Sequence, residues 1–137
     1  MHYLSSLLHK AAYRGDVETL AAVLMVSGVE VDARNRGGYT ALDICMRKNF
    51  IEGAMLLLKY GASVDARDNR GNTPIMHMIL TPHNTEMLQL FIRNGGNITA
   101  TNHRGETYCD ILVRNQYNWY LAHQHHYHFA IKYLSEQ

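Results

Sequence analysis

Histidine is the residue type most ready for chemistry in this chain of 137 residues, which carries nine of them. Four stand together in the run HQHHYH: His123, His125, His126 and His128. On a helix, His123/His126 and His125/His128 are i, i+3 neighbours on one side. Such pairs can hold a zinc or nickel ion. A catalytic zinc needs a third protein ligand, and no HExxH arrangement occurs in the chain. A polar face on a terminal helix accounts for the same run, with adventitious metal capture in vitro. His77 stands apart in TPIMHMIL, residues 73–80.

Nucleophiles are few. Cys45 and Cys109 are the only two cysteines. Two thiols are no disulfide framework, which fits a reducing compartment. Both fall at small or leucine-like positions of helices, where a thiol is buried and inert. They are expected to lie beyond disulfide reach of each other. No Ser/His/Asp order, phosphate loop or dinucleotide fingerprint appears. Asp43 and Asp110 each follow a threonine by three residues and read as capping residues rather than a general acid/base pair. The residues point to no enzyme and no cofactor.

Composition narrows the class further. The net charge is +1 and the apolar content ordinary, so neither nucleic acid, membrane nor disorder is called for. The N-terminus MHYLSSLLHKAAYRGD lacks the form of a secretory signal. No apolar run approaches a membrane span. These features lead us to expect a soluble intracellular domain, cytoplasmic or nuclear.

The elements that position these residues repeat along the chain. VDARNRGGYTALDI from Val31, VDARDNRGNTPIMH from Val64 and ITATNHRGETYCDI from Ile98 align without gaps, at offsets of 33 and 34 residues. Gly28, Gly61 and Gly95 close the apolar run before each one at the same offsets. A fixed period of this length is the signature of a solenoid. Gly38, Gly71 and Gly105 allow a tight turn. Thr40, Thr73 and Thr107 then cap a helix, with Ser6 and His9 in the first unit at the places of Thr40 and Asp43. Each unit is two helices, too small to bury its own apolar face, and stacking makes one continuous core.

This pattern resembles the ankyrin repeat family, whose motif runs roughly D-x-x-G-x-T-P-L-H-x-A-A, then a second helix ending L-L-x-x-G-A and a β-hairpin. RGGYTALDICMRKNFIEGAMLLLKYGASVDA, residues 36–66, matches it well, and the resemblance covers about residues 5–115. It implies an all-α repeat solenoid of helix-turn-helix units joined by β-hairpin loops. One domain over 1–137 is expected, with repeats near 4–30, 31–63, 64–97 and 98–137. The last repeat and a C-terminal helical segment, with Trp119, Tyr120, Phe129 and Tyr133, would cap the stack. The motif's histidine is kept at His9, while Met76 holds that place in the third repeat and His77 falls one step round the helix. Many ankyrin repeats carry a hairpin asparagine that is hydroxylated. The matching places here are Asp32, Asp65 and Thr99, which sets that modification aside.

The resemblance implies a partner surface on the concave face, made by hairpin tips and the exposed side of the first helices. The tips carry Arg34, Arg36, Arg67, Arg70 and Arg104, and the helices carry Lys10, Arg14, Arg47, Lys48 and Arg114. These are ten of the thirteen Lys and Arg residues. Opposing acids there are Asp68 and Glu106. Such a field favours an acidic partner, unless the arginines are spent on neighbouring acids. Tyr13, Tyr39, Ile44, His77, Leu80 and Ile111 are expected to be partly exposed among them, and Tyr and Arg are favoured hot-spot residues.

The expected function is non-enzymatic: an adaptor, inhibitor or effector, a monomer that binds another protein of acidic or mixed surface through this groove. In an effector of a bacterium or virus the compartment would be the host cytoplasm. Two alternatives stand beside it. One is metal binding by the C-terminal histidines. The other is polyanion or nucleic-acid binding by the basic groove, with steep salt dependence.

Overall fold

A computed structural model describes residues 2–80 and 85–115, with Lys132 and Glu136; the side chains of His2, Ile79, Leu80 and Asn115 fall outside it. The histidines at 123–128 and the aromatic residues beyond Asn115 lie outside the described residues.

The chain builds α1 (His2–Arg14), α2 (Val17–Leu24), α3 (Ala41–Lys48), α4 (Ile51–Lys59), a 3₁₀ helix (Pro74–Leu80), α5 (Thr85–Arg93) and α6 (Tyr108–Asn115). They form an all-α repeat solenoid. The first helices α1, α3, the 3₁₀ helix and α6 pack side by side, and α2, α4 and α5 form a second row behind them. Between the rows runs one continuous core that includes Leu8, Leu20, Leu42, Met46, Leu57, Ile75, Met78, Leu88, Phe91 and Tyr108. Each large apolar side chain taken fully out of water contributes about 1.5–3 kcal/mol.

No strand forms among the described residues. The connecting hairpins are turns closed by two backbone bonds each. In the first, Asn35 N donates to Tyr39 O (2.9 Å) and Gly38 N to Asn35 O (2.9 Å). Asp68/Asn72 with Gly71, and Asn102/Glu106 with Gly105, repeat that pattern. The turn requires the glycine. At Gly71, φ is +79°, and a Cβ there would lie 2.9 Å from the His103 backbone nitrogen.

Capping follows the sequence at two of three places. Thr40 and Asp43 form a full capping box on α3, with bonds of 3.2 and 3.0 Å. Thr107 and Asp110 make the same pair at α6, at 2.9 and 3.1 Å. At the third place Met76 replaces the aspartate. There Thr73 N reaches only the Met76 Sδ, 3.4 Å away, and sulfur is a weak acceptor. The Thr73 hydroxyl is buried and has no hydrogen-bond partner among the described residues. The following segment winds as seven residues of 3₁₀ helix instead of α, a form that is uncommon beyond three or four residues. The first unit also departs from expectation. α1 already begins at His2, so Ser6 sits inside the helix and not at its start. Gly28, Gly61 and Gly95 all have positive φ, as expected of left-handed caps. α2, however, stops at Leu24, and Gly28 lies in the turn beyond it.

Candidate functional site

The hairpin tips share a device that the sequence pattern alone did not reveal. At each tip one side-chain oxygen accepts two backbone amides. Asn35 Oδ1 takes Gly37 and Tyr39, at 3.0 Å each. Asp68 Oδ1 takes Arg70 and Asn72, at 2.9 Å each. Asn102 Oδ1 takes Arg104 and Glu106, at 2.9 and 3.0 Å. This Asx geometry presets each tip.

Neighbouring units are tied in register. Asp32 Oδ1 accepts from Ser63 N and Asp65 Oδ1 from Asn97 N, at 3.0 Å each. His9 Nε2 lies 2.8 Å from Ala33 O and donates to it, the structural role expected of the motif histidine. Asn69 Nδ2 donates to Gly37 O (3.3 Å) and Asn102 Nδ2 to Asn72 Oδ1 (2.9 Å).

Two of the tip arginines belong to this scaffold. Arg34 donates to Gly38 O at 3.1 Å. Arg67 donates to Gly71 O at 3.3 Å and also to Thr101 O in the next hairpin. Both guanidinium groups therefore staple backbone, which corrects the expectation that they are free fingers. Arg114 is likewise held, by a two-point pair with Glu106. Arg36, Arg70 and Arg104 are exposed, and their guanidinium groups have no hydrogen-bond or ion-pair partner among the described residues.

The helix positions sort in the same way. Tyr13 and Arg14 are exposed, and the Lys48 Nζ sits 4.3 Å over the Tyr13 ring. The Arg47 guanidinium lies 4.7 Å over the half-buried Tyr39 ring. Both are cation–π contacts. Ile44 is half-buried, and the Leu80 side chain is outside the described residues. Ile111 and His77 do not project outward: they are 4% and 6% exposed. Their helices turn that position toward the neighbouring first helix, which removes it from solvent.

His77 instead completes a buried polar cluster. Its Nδ1 accepts from Arg47 at 3.1 Å, and its ring meets Tyr39 edge-on at 5.2 Å. The proton then belongs on Nε2, which lies 3.1 Å from Asp68 Oδ2 and 3.8 Å from Asp43 Oδ1. The short contact is poorly aligned, leaving Nε2 and Asp43 Oδ1 without a well-formed hydrogen bond. Burial pushes the imidazole down to about 4, against the pull of Asp68. Burial also pushes the Asp43 carboxyl up to about 7, aided by the like charge of Asp68 and opposed by the Thr40 hydrogen bonds. A neutral imidazole beside a carboxyl that keeps its proton avoids a second unpaired charge in the core.

Cys45 and Cys109 are free and buried. Burial pushes their thiols up to about 12 and about 11, away from nucleophilic use. Among the described residues no group of three His, Cys, Asp or Glu side chains can hold a metal ion, and no helix is long and apolar enough to cross a membrane.

Comparison with known proteins agrees with this architecture. A family model of ankyrin repeats in three copies matches residues 5–68. The B-cell lymphoma 3 protein homolog of Mus musculus is 32% identical over 104 residues, covering 73% of this chain and 23% of that protein. BCL-6 corepressor-like protein 1 of Homo sapiens is 28% identical over 74% of this chain and 6% of its own length. Protein phosphatase 1 regulatory subunit 27 of Mus musculus is 27% identical over 72% of this chain and 64% of its own. The chain thus spans less than two thirds of each of these relatives.

Proposed function

Because the chain belongs to the ankyrin-repeat family, we propose that it is a non-enzymatic module that binds another protein through its concave, basic face. Ankyrin repeats are generally protein–protein interaction modules, and the family is generally non-enzymatic. The names of two relatives, a regulatory subunit and a corepressor-like protein, fit an adaptor or inhibitor that acts by binding. We place it inside the cell, consistent with two reduced, buried thiols.

One observation carries the reading: the acids of this face are withdrawn, while some of its cations stay in solvent. Asp43 and Asp68 are buried, and Glu106 is occupied by Arg114 and Asn102. Arg14, Arg36, Arg70 and Arg104 remain in solvent, as does Tyr13. A face with cations in excess of exposed carboxylates, and an aromatic ring, attracts an acidic or mixed protein surface and anchors it.

A photo-crosslinking amino acid at Tyr13 or Arg36, in the native cell, tests this. The expected result is one common protein adduct from both positions and none from Met55, an exposed residue of α4. An adduct that forms from Met55 alone would overturn the assignment to this face.

A further inference from the structure

The last two hairpin tips enclose a small cavity that the fold leaves charged. Its volume is about 160 Å³, and Arg70, Arg104 and Arg114 line it. Pockets for drug-sized molecules run about 300–1,000 Å³, so this one has room for a single side chain. Its one lining carboxylate, Glu106, is already saturated. Arg114 pairs with both of its oxygens, and Asn102 Nδ2 donates to Oε1 at 3.2 Å. Those hydrogen bonds, with the charges of Arg114 and Arg104, hold its carboxyl below the usual range.

Arg70 and Arg104 are the surplus. They occupy the same place in successive tips, 34 residues apart. Each backbone amide is fixed by the Asx oxygen of its own turn. The two tips are bonded directly, His103 N to Arg70 O at 2.9 Å. The second tip's spacing from the first is therefore set before any ligand arrives. The cavity is floored by Met76 and Ile111, both buried. A bare inorganic anion gains nothing from that floor, whereas methylene groups do.

We infer that this cavity binds the carboxylate of a glutamate or aspartate side chain from the protein partner, held between Arg70 and Arg104 with its methylene stem on Met76 and Ile111. The inference rests on the concave-face reading above and names the chemistry of one anchor within it. A guanidinium fork suits a planar carboxylate. The pre-set tips lower the ordering cost of that contact.

The test is a titration of isotopically labelled protein at low salt, following the arginine side-chain N–H signals. The probes are the blocked tripeptides Ac-Ala-Glu-Ala-NH2 and Ac-Ala-Gln-Ala-NH2, and inorganic phosphate. The expected result is saturable movement of the Arg70 and Arg104 signals with the glutamate peptide. The glutamine peptide should shift them at least about three-fold less at equal concentration, as lost charge-assisted bonds require. The glutamate peptide should also move the signal of Arg114, which lines the same cavity, and that movement should vanish in Arg70→Gln/Arg104→Gln, whose substitutions lie in solvent and spare the fold. Equal shifts with both peptides, or equal shifts at Arg14 and Arg36, overturn the pocket. Stronger movement with phosphate than with the glutamate peptide overturns the carboxylate assignment in favour of a phosphoryl group. The crosslinks from Tyr13 and Arg36 are read separately, so a failed pocket beside persisting adducts removes the anchor and leaves the binding face standing.

Discussion

At the scale of residues, two positions change together. The tip series reads Asn35, Asp68, Asn102, and the helix series reads Ile44, His77, Ile111. Where the helix carries histidine, the tip carries a carboxylate to meet it. Asp68→Asn alone would turn an amide N–H toward the His77 N–H, and His77→Ile alone would leave Asp68 Oδ2 with only the long bond from Asn72 Nδ2, at 3.4 Å. Each single change should cost about 1–3 kcal/mol. Asp68→Asn/His77→Ile restores the pattern of the neighbouring units and should return to within about 1 kcal/mol of the parent in urea unfolding. Additive losses would show that the pair is not coupled. The pH behaviour of Asp43 and His77 in the same cluster follows with a definite sign. Asp43 titrates near 7 when folded and near 3.9 when unfolded, so ionising it on unfolding favours the unfolded chain above about pH 4. His77 titrates near 4 when folded and near 6.5 unfolded, so protonation favours the unfolded chain below 6.5. Between about pH 4.5 and 6.5 each state carries one proton on the two groups, and the slopes cancel. His77→Ile removes one slope. Its stability should fall by up to about 1.4 kcal/mol per pH unit as pH rises from about 4.5 to 6.5, while the parent stays flat. A flat profile in the variant would refute a proton-holding Asp43. The register puts His77 one step from the motif position, where the sequence leads one to expect a groove-facing side chain, and the structure buries it. Its burial depended on the neighbouring helix, and only the concerted change at 68 and 77 hinted at it.

At the scale of elements, period and local chemistry were legible, and departures from α geometry were not. The turn glycines, Thr40/Asp43 and Thr107/Asp110 act within a few residues of chain, so their spacing announces them. The staples from Arg34 and Arg67 reach backbone carbonyls, which every residue carries, so no partner residue marks them. The 3₁₀ helix coincides with the one unit in which methionine holds the place of the capping residue. Met76 stands where His9 stands in the first unit, and Ala100 stands where Ala33 accepts the His9 bond. Met76→His should place a ring N–H against the Ala100 carbonyl and raise stability by about 0.5–1.5 kcal/mol. Chemical denaturation measures this. A loss would show that Met76 serves the core more than a hydrogen bond would.

At the scale of the whole molecule, stability is a sum of units and of the interfaces between neighbours. Such a stack opens in parts, and the two thiols report on different parts. Cys45 lies in α3, with helices packed on either side, and Cys109 in the first turn of α6. In sub-denaturing urea, Cys109 should be labelled by a thiol reagent at least about ten-fold faster than Cys45, a difference of about 1.4 kcal/mol in opening. Mass spectrometry of the peptides resolves them. Equal rates would mean that the stack opens as one.

The cluster around His77 has a consequence for how such a chain can grow. Repeat proteins lengthen by copying a unit, and a copy succeeds when its two faces accept any neighbour. The Asp32–Ser63 and Asp65–Asn97 ties meet that condition, because each captures a backbone amide. His77 does not: it is answered in part by Asp43, Arg47 and Tyr39 of the unit before it. A duplicated 64–97 segment would set the second His77 against Met76, Leu80 and Asn72 in those places. The histidine thus acts as a key cut for one predecessor, fixing the order of the units where the rest of the scaffold would allow them to be shuffled.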